Sequence, residues 1–528
     1  MTDHAGEIAI LQTAAAWLAA GHGVALGTVI SVSGSAPRPP GSHVAIRDDG
    51  AFAGSVSAGC VENAVIEEAF AALSEGRHRR LRFGVSDDGG FAVGLMCGGE
   101  IEIVIEPLKD GAMIGAVLEG HAAGRALVRA LDLDSGTACL IDPKDDTSPL
   151  GRAAAVAARA DASERVCLDG RDWFLTLYNP PRRLVIVGAV HIAQALAPLA
   201  SAAGYAVRVI DPRAVYATAE RFGGVPLEQA WPDEALAKTP LTHRDAIVVL
   251  AHDAKIDDAA LSAALTSPVG YIGALGSART HARRLERLAA QGISEQTLAR
   301  IHGPVGLAIG ARSPTEIAIA ILGDLVQQRR AIAGIVLAAG TASRMGANKM
   351  LLDVGGKPML RRVVENALAS GLARVLVVTG HEAEKAEALL ADLPVQSVRN
   401  REYAAGLSTS LCAGIAAVPP ACAGAMILLG DMPGIDARLI DRTLAAFDPA
   451  AGRGICVAAH DGTPGHPVLW ARRYFRAIAD LTGDAGARPL MRRHPDDLHL
   501  VEAGSDAPFR DIDTPEDLQA RALAAALS

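Results

Sequence analysis

Aromatic residues are scarce. Phe, Trp and Tyr together make up 4% of 528 residues, so cores must be assembled from Ala, Val, Leu and Ile. Cysteine is thin as well. Cys60, Cys97, Cys139, Cys167, Cys412, Cys422 and Cys456 contain no Cys-x-x-Cys pair and are odd in number. A zinc ribbon or a disulfide framework is therefore not expected, and reduced thiols in a cytoplasm are. No stretch reaches the roughly 18 uninterrupted apolar residues that a membrane span needs. The start lacks the positive charge of a signal peptide: Asp3 and Glu7 stand there, and Gly21-His22 break the first apolar run. Positive charge is also in deficit, with 50 Lys and Arg against 59 Asp and Glu and a net charge of −9. That balance argues against nucleic acid as a partner. It leaves room for an anionic small ligand, because local Arg, Lys and backbone N–H groups can override the global charge.

The length is too great for one core, and about 150 residues per domain suggests roughly three or four domains. Three blocks are expected, 1–180, 181–330 and 331–528. The first opens with an Ala-rich helix pattern over 7–20, followed by β-like runs at 24–32 and 101–105. Residues 110–180 read as Ala-rich helices with one short strand, 173–178, before the break at Pro180-Pro181. The second block alternates strand and helix: 184–187, a helix over 191–202, Gly204 as a stop, then strands at 206–210, 246–250 and 269–272. It closes with a helix from Ser313-Pro314, where Glu316 completes a capping box. The third block repeats the logic with strands at 334–337, 375–378, 426–429 and 455–458. The expected fold class is α/β, with doubly wound, Rossmann-like middle and C-terminal domains.

The strongest chemical signal is Leu337-Ala-Ala-Gly-Thr-Ala-Ser-Arg-Met-Gly-Ala-Asn-Lys349. A buried strand ends at Ala338, Ala339 follows it, and Gly340 and Gly346 bracket a loop that can turn successive N–H groups toward one anion. Arg344 and Lys349 add two cations, a set that suits a triphosphate with pyrophosphate as leaving group. The spacing is not that of a Walker A loop. Asp431 follows the apolar run Ile427-Leu-Leu-Gly, just past a strand end where α/β sheets bind ligands. Asp513, in Arg510-Asp-Ile-Asp-Thr-Pro-Glu-Asp517, is the second candidate carboxylate, with a helix N-cap as its alternative reading. Nucleotidyl transfer needs a metal at the phosphates, and hard Mg2+ takes carboxylate oxygens.

On these residues, 332–528 resembles the molybdenum cofactor nucleotidyltransferases. The Ala338-Ala339-Gly340 string, Gly465-His-Pro-Val468 and Gly483-Asp-Ala-Gly-Ala-Arg488 are similar to the cytidylyltransferase branch. Asn400 and Gly406-Leu-Ser-Thr-Ser410 resemble its acceptor-side segment. The resemblance implies that molybdopterin attacks CTP, giving the dinucleotide cofactor and pyrophosphate. Arg344 and Lys349 would then bind the triphosphate, Asp431 and Asp513 would hold Mg2+, and His466 and Arg488 would face the cofactor. A turn role is the alternative for His466. The Gly-rich loop, Lys357 and Asp431 also suit a nucleotidyltransferase for GTP or a sugar phosphate.

Ser33-Gly-Ser-Ala-Pro-Arg-Pro-Pro-Gly41, Gly54-Ser-Val-Ser-Ala-Gly-Cys-Val-Glu62 and Met96-Cys-Gly-Gly99 resemble the XdhC/CoxI accessory proteins. Asp211-Pro-Arg213, Tyr271-Ile-Gly-Ala-Leu-Gly-Ser277 and Gly303-Pro-Val-Gly-Leu-Ala-Ile-Gly310 extend the likeness to about residue 330. That family implies an N-terminal α/β accessory domain that binds the molybdenum cofactor and delivers it to a hydroxylase of the xanthine dehydrogenase or CO dehydrogenase type. Support for cofactor sulfuration adds a cysteine desulfurase as an expected partner, and a homodimer is an expected assembly. Gly59, Gly98 and Gly99 would let a ligand approach Cys60 and Cys97, whose soft sulfurs suit a molybdenum dithiolene; small buried residues are the alternative. In Gly188-Ala-Val-His191, Val190 stands where a dinucleotide turn has its second Gly, so its side chain would crowd a pyrophosphate. Asp211, at the second strand end, is where a ribose contact is usual. A Rossmann-like domain is expected, with NAD disfavoured by Val190 and an NAD-dependent oxidoreductase built on this block as the alternative.

Overall fold

The computed structural model describes residues 4–33, 38–84, 99–340, 348–484 and 486–512. The chain divides into two compact units, Met1–Pro181 and Arg182–Ser528. Among the described residues no helix is long and apolar enough to cross a membrane.

Unit 1 is built on a five-stranded antiparallel sheet in the order Phe52–Gly54, His43–Arg47, Val24–Ser33, Glu100–Pro107, Arg79–Phe83. Its central strand has seven buried residues in a row from Val24 to Ile30, because both faces are covered. Helix His4–Ala19 packs Ile8, Leu11 and Ala14 with Val24, Leu26 and Ala45. Helix Glu62–Glu75 packs Val65, Ala69 and Ala72 with Ala25, Val29 and Ile103. Each fully buried Val, Leu or Ile contributes about 1.5–3 kcal/mol of hydrophobic transfer. Residues 110–180 depart from the expected single strand. They hold a four-stranded antiparallel sheet ordered Ala138–Ile141, Leu127–Asp132, Arg171–Tyr178, Glu164–Leu168, with helix Pro149–Ala160 laid on it. The Glu164–Leu168 strand alternates half-buried and exposed residues, so it carries no apolar run to announce it.

Unit 2 contains two α/β sheets. The first is wholly parallel, ordered Leu227–Glu228, Tyr205–Ile210, Arg182–Val187, Ala246–Val249, Tyr271–Ala274, Ile301–His302. Numbered along this domain it reads 3-2-1-4-5-6, the doubly wound dinucleotide-type order. Its continuous apolar strands follow from burial on both faces. Helix Pro314–Gln328 closes it, with the capping box formed as expected: Glu316 N donates to Ser313 Oγ at 3.2 Å and Ser313 N to Glu316 Oε2 at 2.9 Å.

The second sheet runs Gln396–Arg399, Arg374–Thr379, Ile332–Ala338, Gly424–Leu429, Thr463–Ala471, Ile455–His460, Leu498–Glu502. Thr463–Ala471 is antiparallel to both neighbours, and the other pairings are parallel. The topology reverses direction between Ile332–Ala338 and Gly424–Leu429. The loops leaving those two strands, at Ala339 and Gly430, therefore flank one crevice at their carboxyl ends.

Candidate active site

Backbone geometry delivers Asp431 to that crevice. Gly430 N donates to Leu337 O at 2.9 Å, extending the pairing one residue past the strand. A Cβ at Gly430 would lie 2.9 Å from Leu337 O and 2.9 Å from Met350 Sδ, so only glycine fits there. Lys349 comes from the opposite loop. Asn348 Oδ1 accepts from Met350 N at 3.1 Å, and Met350 is buried in the core, which fixes the turn Lys349–Leu351. The ammonium then meets the carboxylate: Lys349 Nζ to Asp431 Oδ2 is 2.7 Å. Ala338 and Ala339 are buried, and Ala339 O accepts from His381 N at 3.2 Å. Gly340 is exposed, and among the described residues nothing lies within 4 Å of a Cβ built there.

His466 and Arg488 bring a neutral ring and a cation to the same place. Gly465 must be glycine, because a Cβ would lie 2.5 Å from Pro508 O. The next residue, His466, has a buried Nδ1 with no hydrogen-bond partner among the described residues. Burial and then the nearby Arg488 charge lower its pKa to about 4, against the opposing pull of Asp431 and a backbone bond with Ile427. The ring is thus uncharged at neutral pH and sits within the fields of both Asp431 and Arg488. Arg488 opens the helix Arg488–Arg493.

The Gly483-Asp484 end of the same string does a structural job. Asp484 Oδ1 accepts from Leu407 N at 3.1 Å and Gly483 O from Ser408 N at 3.2 Å, which caps helix Leu407–Ala416. Asn400 braces that helix too. Its Nδ2 donates to Thr409 Oγ1 at 2.9 Å and Ser410 Oγ at 3.0 Å, and its Oδ1 accepts from Glu402 N at 2.9 Å. An acceptor contact by Asn400 would require some of these bonds to open.

Asp431 fits a divalent cation by its donor chemistry, since its carboxylate oxygen already bears a cation, the Lys349 ammonium. Among the described residues no three His, Cys, Asp or Glu side chains converge on a metal position. Ile512 N donates to Asp431 O at 3.0 Å, so the residue just before Asp513 is tied to Asp431. Asp513 itself, Arg344, Gly346 and Cys97 lie outside the described residues.

In unit 1, Cys60 is half-buried beside a loop organised by Glu62, a residue not singled out from the sequence. Glu62 accepts from Ser55 Oγ (2.6 Å), Ser57 N (3.0 Å), Ser57 Oγ (2.5 Å), Gly59 N (2.9 Å) and Val61 N (3.2 Å). Burial raises its pKa, but these bonds more than compensate and bring it to about 2. Two hydroxyl residues and a Glu around Gly-Cys, the Ser55-Val-Ser-Ala-Gly-Cys-Val-Glu62 string, were the available signal. In the middle domain Gly188 has φ +105° and presses on Ala251 N, where a Cβ would come within 2.5 Å. His191 is exposed at the start of helix His191–Ala202. Asp211 is 0% exposed. Its Oδ2 accepts from Ala189 N and Arg213 Nη2, each at 2.8 Å, and its Oδ1 from Arg213 N and Nε, each at 2.9 Å. The amide a dinucleotide phosphate would use, and the carboxylate a ribose would use, are thus bonded to each other.

Residues 334–498 match the MobA-like NTP transferase domain, 184–325 the XdhC Rossmann domain, and 17–84 the XdhC and CoxI family. The chain is 30% identical over 327 residues to the molybdenum cofactor insertion chaperone PaoD of Escherichia coli (strain K12), covering 61% of this chain and 88% of that protein. It is 28% identical over 193 residues to the nicotine blue oxidoreductase of Paenarthrobacter nicotinovorans, covering 35% of this chain and 94% of that one. It is 29% identical over 188 residues to the molybdenum cofactor cytidylyltransferase of Escherichia coli (strain K12), covering 35% and 93%.

Proposed function

Because this chain belongs to the XdhC and CoxI family and carries a MobA-like NTP transferase domain in the same polypeptide, we propose that it completes a molybdenum cofactor and then carries it. The C-terminal domain transfers CMP from CTP to molybdopterin-bound molybdenum. The supporting observation is the convergence of Lys349, Asp431, His466 and Arg488 at one end of the seven-stranded sheet. An oxygen of the molybdopterin phosphate attacks the α-phosphorus of CTP. The bond from that phosphorus to the bridging oxygen breaks, and pyrophosphate leaves with the electron pair. The nucleophile belongs to the substrate, so no Ser or Cys nucleophile is required.

Asp431 and Asp513 would hold Mg2+, which would supply charge neutralisation at the α-phosphate and leaving group. Lys349, with Arg344, binds the triphosphate and stabilises the departing charge. Arg488 pairs with the acceptor phosphate, and neutral His466 offers it a hydrogen bond. The N-terminal part holds the product at Cys60 and Cys97. It delivers the cofactor to a molybdenum hydroxylase of the xanthine dehydrogenase or CO dehydrogenase type in the cytoplasm, with a cysteine desulfurase as sulfur donor. The middle domain works without NAD, since Asp211 and Val190 occupy its dinucleotide turn.

The test is pyrophosphate release with Mg2+ and molybdopterin-bound molybdenum, comparing CTP, GTP and ATP. Release with CTP alone, abolished by Asp431→Ala, is the expected result. Release with GTP would move the assignment to guanylyl transfer. The nicotine blue oxidoreductase relative favours a second reading, hydride transfer by the same domain. NAD(P)H consumption without pyrophosphate release would establish that one instead.

A further inference from the structure

Lys349 and a metal ion would claim the same oxygen. The ammonium stands 2.7 Å from Asp431 Oδ2, and both side chains are only 17% exposed. Neither backbone can easily yield. Asp431 is fixed by Gly430 behind it and by Ile512 N on its carbonyl, and Lys349 by the buried Met350. The lysine stem, by contrast, is four flexible carbons, so the ammonium is the movable partner. A dication arriving alone at Asp431 would have to displace this ammonium and then face it across a short, poorly screened gap. A dication arriving with a nucleotide brings anionic oxygens that receive the displaced ammonium.

We propose that Lys349 keeps Asp431 charge-paired until the nucleotide arrives, so that metal enters as the metal–nucleotide complex and not by itself. The exchange conserves pairing: the carboxylate passes from ammonium to metal, and the ammonium passes from carboxylate to phosphate. Lys349 thereby has a role before the triphosphate contact, setting the order in which metal and nucleotide bind. The inference rests on the reading of Asp431 as a metal ligand, but not on the identity of the acceptor or the base.

The experiment is Mn2+ binding to the full chain, followed by the electron paramagnetic resonance of free Mn2+, with and without a non-hydrolysable CTP analogue. Wild type should bind Mn2+ weakly alone and more tightly with the analogue. Lys349→Met and Lys349→Gln should each bind Mn2+ alone at least about tenfold more tightly than wild type, within the usual range of coupling between two ligands, and should lose most of the gain from the analogue. Lys385→Met removes an exposed ammonium bonded to Glu382 and should leave Mn2+ affinity within about twofold, as expected for a screened surface charge. Adding Asp431→Asn to Lys349→Met should abolish the tight site. Unchanged Mn2+ affinity in both Lys349 variants, or an equal gain in Lys385→Met, overturns the inference. The readout needs no turnover. A chain inactive with CTP that shows the gain would sink only the proposed reaction, and an active chain without it would sink only this inference.

Discussion

Glu62 accepts hydrogen bonds from two hydroxyls and three backbone amides, and that one carboxylate sets the loop carrying Cys60. Its pKa of about 2 lies below the ordinary glutamate value, so the charged form is favoured in the folded state. Its stabilisation is therefore complete above the ordinary value and fades as pH falls toward 2. Glu62→Gln should weaken the loop by about 2 kcal/mol at neutral pH, because charge-assisted bonds are lost and amides are left unsatisfied. Hydrogen exchange of residues 57–61, compared with wild type at matched pH, checks this. The difference should be full at pH 7 and largely gone near pH 2, and a pH-independent difference would refute the electrostatic account. At this scale the sequence was legible where position along the chain suffices, as with Asp431 just past the end of strand Gly424–Leu429, where Lys349 meets it at 2.7 Å. It was not legible where the role depends on a partner distant in the chain. Nothing local indicates that Asp211 closes on Ala189 N, that Asn400 is engaged by Thr409 and Ser410, or that His466 Nδ1 is buried.

Elements followed the same division. Parallel strands such as Arg182–Val187 and Ile332–Ala338 are buried on both faces and read as apolar runs. The helix starting at Pro314 was legible because its capping box is local. Ser313→Ala should cost about 1 kcal/mol, seen as faster exchange of the first-turn amides of Pro314–Gln328, and an unchanged rate would show that packing alone fixes that end. The strand Arg79–Phe83 is the contrary case. Its sequence, Arg-Arg-Leu-Arg-Phe, holds only two apolar residues, and it pairs through Arg80 with Glu102 and Arg82 with Glu100 of the neighbouring strand. Such a strand exists because of its partner, which periodicity cannot show. The strand expected at 269–272 begins later, at Tyr271, because Gly270 N is bonded to Asp245 O and a Cβ there would meet His243 O at 2.3 Å.

At the scale of the molecule, the second unit does not break between its two sheets. Arg330 Nη1 reaches Phe447 O and Asp448 Oδ1, each at 3.3 Å, and His243 Nε2 lies 3.3 Å from Ala369 O. A cut near residue 330 would thus expose surfaces that the whole chain keeps covered, so the carrier role is best tested on the intact protein. Fusion matters here through concentration. A covalent tether holds a second module at roughly millimolar effective concentration, so a carrier with about micromolar affinity would capture the product roughly a thousand times more readily than it releases it to bulk. After one turnover with limiting cofactor, the dinucleotide product should therefore elute with the protein on gel filtration and leave it when an apo molybdenum hydroxylase is added. Cys60→Ala should let product escape without slowing pyrophosphate release, because that residue belongs to the first unit and the transfer chemistry to the second. Product that elutes free from the wild-type chain would restrict the protein to the transferase reaction, and the N-terminal part would need another ligand.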